Sequence, residues 1–383
     1  MGLNRREERG QAIVILAIAM VVLLVAAGMA IDGGVAHLNR RRAQNAADAG
    51  ALAGARVLSS SICDSATSSA TDTAVYAAVW DYARRNGVTD ANNFEATYVR
   101  FANNVITPFD PPAVVGNGSV PSGATGVAVT TTLTQSTYFM GLVGQNETNT
   151  GASATAVTGP PLLMGGLRPF GVSLEVMSAL DVGDCFTSDF KNCGNANQGP
   201  CYILDDDGNR MSQHRGWLNL NHVWNAGEAD EGYPRASGGS GSANDLKTWM
   251  EEGWGGTLYA DCFWSTGCHW GDFIHAKPGT NSSAIGATPI DELFFIPIFD
   301  AVPEYETIPA PKAGAVAQGG NYYYHIVGFT GVIVPSSHDV SQGGGTIRTC
   351  IQQVIWGQGQ PSPNSGYGGG ACASHVMVVT LWE

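Results

Sequence analysis

Residues 12–31 read AIVILAIAMVVLLVAAGMAI, twenty positions without a charge. At ~1.5 Å per helical residue such a run spans about 30 Å, the thickness of a bilayer hydrocarbon core. Core helices of soluble proteins are usually shorter and carry a polar face. The run therefore predicts a transmembrane helix over residues 11–31, preceded by a short cytoplasmic N-terminus over 1–10. A cleaved signal peptide competes with this reading, because Gly28-Met29-Ala30 is a small-x-small site behind Arg5, Arg6 and Arg9. The run is, however, longer than the usual apolar region of such a peptide.

Flanking charge does not orient the helix, since Arg40, Arg41 and Arg42 balance the arginines on the other side. Cysteine does. Cys63, Cys185, Cys193, Cys201, Cys262, Cys268, Cys350 and Cys372 all follow the apolar run. An even number in a loop-rich chain suits disulfides in an oxidising compartment. The expected disposition is a single-pass protein of the cell membrane, N-terminus inside, with its bulk extracytoplasmic or at the cell surface. The formal net charge is −14, which argues against a nucleic-acid binder. The acidity is uneven: residues 161–383 hold 9 Lys+Arg and 22 Asp+Glu, against 10 and 11 in residues 1–160.

Beyond Ile31 the helical pattern continues, with a loosening expected at Gly33-Gly34. Ala43, Ala46, Ala47, Gly50, Ala51 and Gly54 then form one stripe of very small side chains. Such a stripe adds little apolar burial but lets another helix approach closely. It predicts a packing face, and the bland alternative is an ordinary Ala-rich helix.

Glu8-Arg9-Gly10-Gln11, the apolar run, Ile31-Asp32-Gly33-Gly34 and the stretch from Arg40 to Ala55 follow one another. Together, over about residues 8–58, they resemble the N-terminal region of Flp/Tad pilus-assembly proteins of the TadE/TadG-like family. A looser resemblance runs to residue 160 through 127–132 (VAVTTT), 138–144 (YFMGLVG) and 152–156 (ASATA). The resemblance implies one N-terminal membrane helix, an extracytoplasmic remainder, and a role as a minor pilin-like or accessory component of adhesive pili. Two departures bound it. Gln11 follows Gly10 and Ile15 stands where type IV prepilins carry Glu, so prepilin-peptidase processing at Gly10 does not carry over. Asp64-Ser65-Ala66-Thr67-Ser68 lacks the middle Ser of a von Willebrand A metal motif, so no such domain is expected.

Residues 71–86 read as a second helix with Val75, Ala78, Val79 and Tyr82 on one face and Gly87 as its stop. Strand-like 95–101, 126–133 and 152–157 flank a Pro/Gly-rich stretch at 107–126 and a short helix at 138–143. This predicts a pilin-like α+β stalk module over residues 32–160, with Gly159-Pro160-Pro161 as the linker. From residue 161 the chain reads as an acidic, β-rich, disulfide-rich domain to 383, a sandwich or irregular barrel. Its one persuasive helix is 245–252, capped by Asn244 or Ser242. The expected fold class is therefore α+β.

No motif for catalysis stands out, and the expectation is a non-enzyme without cofactor or resident metal. Cys262, Cys268, His269 and His275 lack zinc-knuckle spacing, and disulfides are preferred to zinc. Cys350 with Cys372 is a candidate clamp on the last strands. Asp205, Asp207 and Asn209 form a weak calcium candidate, with Gly fourth rather than sixth in the loop. Trp217, Trp224, Trp249, Trp254, Trp264 and Trp270 are either core residues or a stacking platform for a surface glycan. The favoured function is a membrane-anchored pilin-like or accessory component of a Tad-type pilus, meeting other pilin-like or pilus-assembly proteins through its N-terminal helix and carrying a structural or adhesive head. The alternative is a membrane-tethered extracellular carbohydrate-binding protein or hydrolase.

Overall fold

The structure is a computed structural model that describes residues 7–60, 69–102, 104–191, 203–204, 210–211, 217–225, 241–260, 272–277, 281–300, 323–357, 359, 361 and 374–382. It opens on one unbroken helix, α1 (Glu7–Ser59), about 80 Å long at the standard helical rise. Gly33 and Gly34 sit inside it, exposed and fully helical, so the expected loosening is absent. A Cβ at either position would meet nothing within 4 Å, and neighbouring turns carry the helix through. Helix α2 (Ser69–Arg85) lies against the distal half of α1. Its buried face is Asp72, Val75, Val79 and Ala83, with Tyr82 turned outward rather than onto the face with Val75 and Val79 that its spacing predicts.

Both helices cover a six-stranded sheet. Strands β1 (Phe94–Ala102), β2 (Val105–Pro108), β3 (Gly126–Ser136) and β4 (Glu147–Gly159) are consecutive antiparallel neighbours in the order β4-β3-β1-β2. The β3–β4 hairpin is the longest pairing, in register from Gly126↔Val157 to Ser136↔Glu147. Ala51, Ala55, Leu58, Val75, Val79, Tyr98, Val127 and Val129 fill the space between sheet and helices.

The rest of the chain forms a larger lobe. It contains β5 (Leu163–Gly165), β6 (Val172–Ser173), α3 (Leu174–Met177), β7 (Cys185–Asp189), β8 (Ile203–Leu204), β9 (Arg210–Met211) and β10 (Trp217–Asn225). Helix α4 (Ala243–Glu252), β11 (Thr257–Tyr259), β12 (Asp272–Lys277), α5 (Ser282–Gly286), β13 (Phe294–Asp300), β14 (Tyr323–Ile333), β15 (Val340–Ser341) and β16 (Thr346–Gln352) follow. Ten of these strands make one sheet, built on β14, which pairs with β13 along one edge and with β12 and β16 along the other. Every pairing in it is antiparallel except that of β13 with β6. Helix α4 starts on a capping box in which Ser242 and Asp245 satisfy each other's backbone N–H. The predicted α+β class, a long apolar N-terminal helix followed by a mostly β disulfide-bearing region, is what the fold shows.

The linker expected at 160 does not end the first sheet. Strands β17 (Val354–Trp356) and β18 (Val376–Trp382) leave the large lobe and complete the six-stranded sheet as β17-β18-β4. Strand β18 pairs antiparallel with β4, from Val378↔Gly159 to Trp382↔Thr155. Its Val376 belongs to the large core and its Val379 to the small one. The large lobe is thus an insertion between β4 and β17 rather than a C-terminal appendage.

One disulfide lies among the described residues, Cys185–Cys350, joining two facing positions of the neighbouring strands β7 and β16. This corrects the suggested pairing of Cys350 with Cys372. Cys63, Cys193, Cys201, Cys262, Cys268 and Cys372 lie outside the described residues, as do Asp205, Asp207 and Asn209 of the calcium candidate.

Candidate functional site

The site with the most to say about function is α1 itself, because its two halves have opposite surroundings. From Ala12 to Ala27 every residue is exposed, and Ile13, Val14, Ile15, Leu16, Leu23 and Leu24 each leave more than half of their surface uncovered. A fully exposed apolar helix in water would forfeit about 25 cal/mol for each Å² of apolar area. The same face is at no disadvantage in hydrocarbon, where the backbone is already satisfied within the helix. The segment is long and apolar enough to cross a membrane.

From residue 28 onward one side of the helix goes under cover. The buried positions are Gly28, Asp32, Asn39, Ala43, Ala46, Ala47, Gly50, Ala51, Gly54, Ala55, Leu58 and Ser59, spaced at three and four along one face. The Ala/Gly stripe is included whole, but its partner is not the external helix that was expected. Gly50 and Gly54 face Val79 of α2 together with Val129 and Val127 of β3. The Thr131 hydroxyl donates to the carbonyl of Ala43 at 2.8 Å, and the Gln44 amide donates to the carbonyl of Ser153 at 3.3 Å. The small side chains let α1 sink into its own sheet and its own second helix. The stripe is the core of the small lobe.

The contacts also set direction. Along β3 and the turn after it, Val127 meets Gly54, Val129 meets Gly50, Thr131 meets Ala43, and Phe139 meets Gly28. From 127 to 131 the strand advances about 13 Å at ~3.3 Å per extended residue, while the helix from 54 to 43 advances about 16 Å at ~1.5 Å per residue. The hairpin therefore runs antiparallel to α1, pointing back toward the apolar half, and keeps pace with it.

At the hairpin end the backbone is clamped. Asp32, only 6% exposed, accepts the N–H of Tyr138 at 2.8 Å, of Phe139 at 2.9 Å and of Met140 at 2.7 Å. These are the free donors ahead of the short 3-10 turn Met140–Val143, where a carboxylate is favoured. Gly28, one helical turn earlier, is the notch for the Phe139 ring: a Cβ there would lie 2.7 Å from Phe139 Cβ and Cγ. Nothing in the sequence pattern joins Gly28 and Asp32 to 138–144, which lies more than a hundred residues away. The available signal was a lone carboxylate one residue past an apolar run, four residues after a glycine.

A second buried carboxylate fixes the other end of the lobe. Asp72 accepts the Tyr98 hydroxyl at 2.8 Å and the N–H of Gly116 and Gly118 at 2.8 and 2.6 Å. Burial and the adjacent Asp72 push the Tyr98 phenol well above its ordinary value.

In the large lobe, Trp217 and Trp249 are buried and Trp254 packs partly buried against the same core. Trp217 and Trp249 are therefore core residues, the first of the two roles open to them. The Trp224 side chain, Trp264 and Trp270 lie outside the described residues. No group of three or more metal-ligating side chains occurs among the described residues.

Comparison with curated proteins finds no match, and comparison with solved structures finds none either. Residues 10–57, which are nearly the whole of α1, match the model of the Tad family, described as "Putative Flp pilus-assembly TadE/G-like".

Proposed function

We propose that this protein is a membrane-anchored, pilin-like or accessory component of a Tad-type pilus and its assembly apparatus, without enzymatic activity. The observation that carries the reading is the coincidence of the family match with a structural unit. The matched residues 10–57 hold both the exposed apolar segment and the buried stripe, so the match covers anchor and core in one helix. In this reading the N-terminus stays inside, and the sheet and large lobe project outside as a structural or adhesive head. Assembly partners meet the apolar part of α1 within the membrane, since the distal stripe is already occupied by the chain's own α2 and β3.

The test is deletion of the gene with complementation by the full chain, scored by electron microscopy of surface pili and by surface adhesion. Loss of pili restored by the intact gene is expected. Unchanged pili, adhesion and secretion in the deletion strain would contradict the proposal. A glycan array and a hydrolase screen on the full-length protein address the alternative, and turnover of any glycan would overturn the non-enzymatic reading.

A further inference from the structure

The β3–β4 connection holds an uncharged run from Thr137 to Asn146 whose centre is Tyr138-Phe139-Met140. These three side chains are 67%, 39% and 37% exposed, although the backbone beneath them is held by hydrogen bonds. Asp32 holds three consecutive N–H groups, Thr137 N–H donates to the Asn146 carbonyl at 3.0 Å, and Gln145 N–H donates to the Met140 carbonyl at 3.0 Å. A hydrogen-bonded loop that presents aromatic and apolar side chains outward is organised for contact.

Its position along α1 identifies what it meets. Phe139 rests on Gly28, which lies inside the apolar run and about 4.5 Å before its end at Ile31. A run of twenty residues only just matches the ~30 Å hydrocarbon core, so residue 28 stays in the bilayer when the run spans it. Whatever touches Gly28 is then drawn to the depth of the last membrane turn. Tyr and other amphipathic or apolar side chains are favoured at that level, where a ring meets both headgroups and acyl chains.

We propose that the β3–β4 tip is a second membrane contact, with Tyr138, Phe139 and Met140 seated in the interfacial region of the leaflet that faces the folded part of the chain. The occupant is lipid, because the patch is continuous with the lipid-exposed side of α1 and bears no charge between Ser136 and Glu147. Asp32 acts as the positioning residue. Its carboxylate, just past the apolar run, is satisfied by the loop and in turn fixes the loop's height. With two points of contact the small lobe is fixed in rotation about α1 rather than swinging on a single rod. The inference rests on residues 12–31 spanning a bilayer and makes no claim about pili.

The experiment places the photo-crosslinking residue p-benzoylphenylalanine at one of three positions in the full-length protein in phospholipid nanodiscs, with adducts identified by mass spectrometry. Position 21 lies in the apolar run, position 138 in the tip, and position 82 on the exposed face of α2; all three side chains are exposed, so substitution leaves packing intact. Lipid adducts at 21 and 138, with none at 82, are expected. Lipid at 21 but not at 138 would overturn the second contact while the span stands. Adducts from 138 only to a second copy of the chain would overturn it in favour of a protein interface. Absence of lipid at both 21 and 138 would overturn the spanning reading as well.

Discussion

Gly50 and Gly54 sit one helical turn apart on the same face of α1, yet substitution by alanine should shift stability in opposite directions. A Cβ at Gly54 would lie 2.7 Å from Val79 Cγ2 and 3.3 and 3.4 Å from the two γ-methyls of Val127. Val79 and Val127 are fully buried, and β-branched side chains have few rotamers in which to yield. Overpacking of this kind costs about 1–3 kcal/mol, while alanine gains about 1 kcal/mol over glycine in a helix interior. Gly54→Ala is therefore expected to destabilise by up to about 2 kcal/mol. At Gly50 the nearest atoms are 3.4, 3.5 and 3.6 Å away, which is ordinary contact. There the helix gain stands alone, and Gly50→Ala should stabilise by up to about 1 kcal/mol. The propensity gain cancels between the variants, leaving a difference of about 1–3 kcal/mol from packing alone. At ~2–4 °C per kcal/mol for a folding unit of this size, calorimetric unfolding in one detergent should separate the two midpoints by several degrees. Equal midpoints, or a more stable Gly54→Ala, would refute packing of the stripe against α2 and β3. A separation that grew with protein concentration would place the stripe against a second copy instead.

Other outcomes follow from the same contacts. Asp32→Ala and Gly28→Leu should each release the tip, seen as faster hydrogen exchange at residues 138–140 with the β3–β4 ladder unchanged; unchanged exchange would mean that the clamp does not hold the loop. Asp72→Ala leaves the Tyr98 hydroxyl and two backbone N–H groups without their acceptor, at about 1–3 kcal/mol each where water cannot reach, and denaturant unfolding should register at least ~3 kcal/mol. Because the Tyr98 phenol is raised in the folded state, its contribution is present below the unfolded value of about 10 and lost as pH rises beyond it. Stability should fall above pH ~10 in the wild type and less steeply in Tyr98→Phe, whereas parallel profiles would contradict the burial. A fragment of residues 161–383 should not fold cleanly, since β18 would lack β4, and adding a peptide of residues 147–159 should improve its solubility if the pairing is as described.

The readily legible parts of the fold were those set by local pattern. An uncharged twenty-residue run, the alternation in 126–133 and a helix at 245–252 behind Asn244 or Ser242 as cap each specify an element within a few residues of chain, and the structure selects Ser242. Non-local choices left weaker traces. Strand β4 alternates between exposed and half-buried along its first part, then is buried continuously from Ala156 to Gly159. That change reflects cover supplied by β18 from more than two hundred residues away, which no local period encodes. The Cys185–Cys350 bridge is likewise set by strand order. For the candidate site, the sequence exposed the stripe's shape but not its occupant, because small side chains admit a sheet or a helix with equal ease. Asp32 stood in the sequence only as part of the Ile31-Asp32-Gly33-Gly34 stretch, and only the antiparallel course of the hairpin beside α1 brings three N–H groups to it.

The central claim is that α1 is one element with two solvents, lipid around its first half and its own protein around its second. Hydrogen exchange of the full-length protein in nanodiscs tests this directly. Amides of residues 43–59 should exchange as slowly as those of β3, although they lie well beyond the bilayer. Protection confined to residues 12–31, with 43–59 exchanging like an isolated solvated helix, would contradict it.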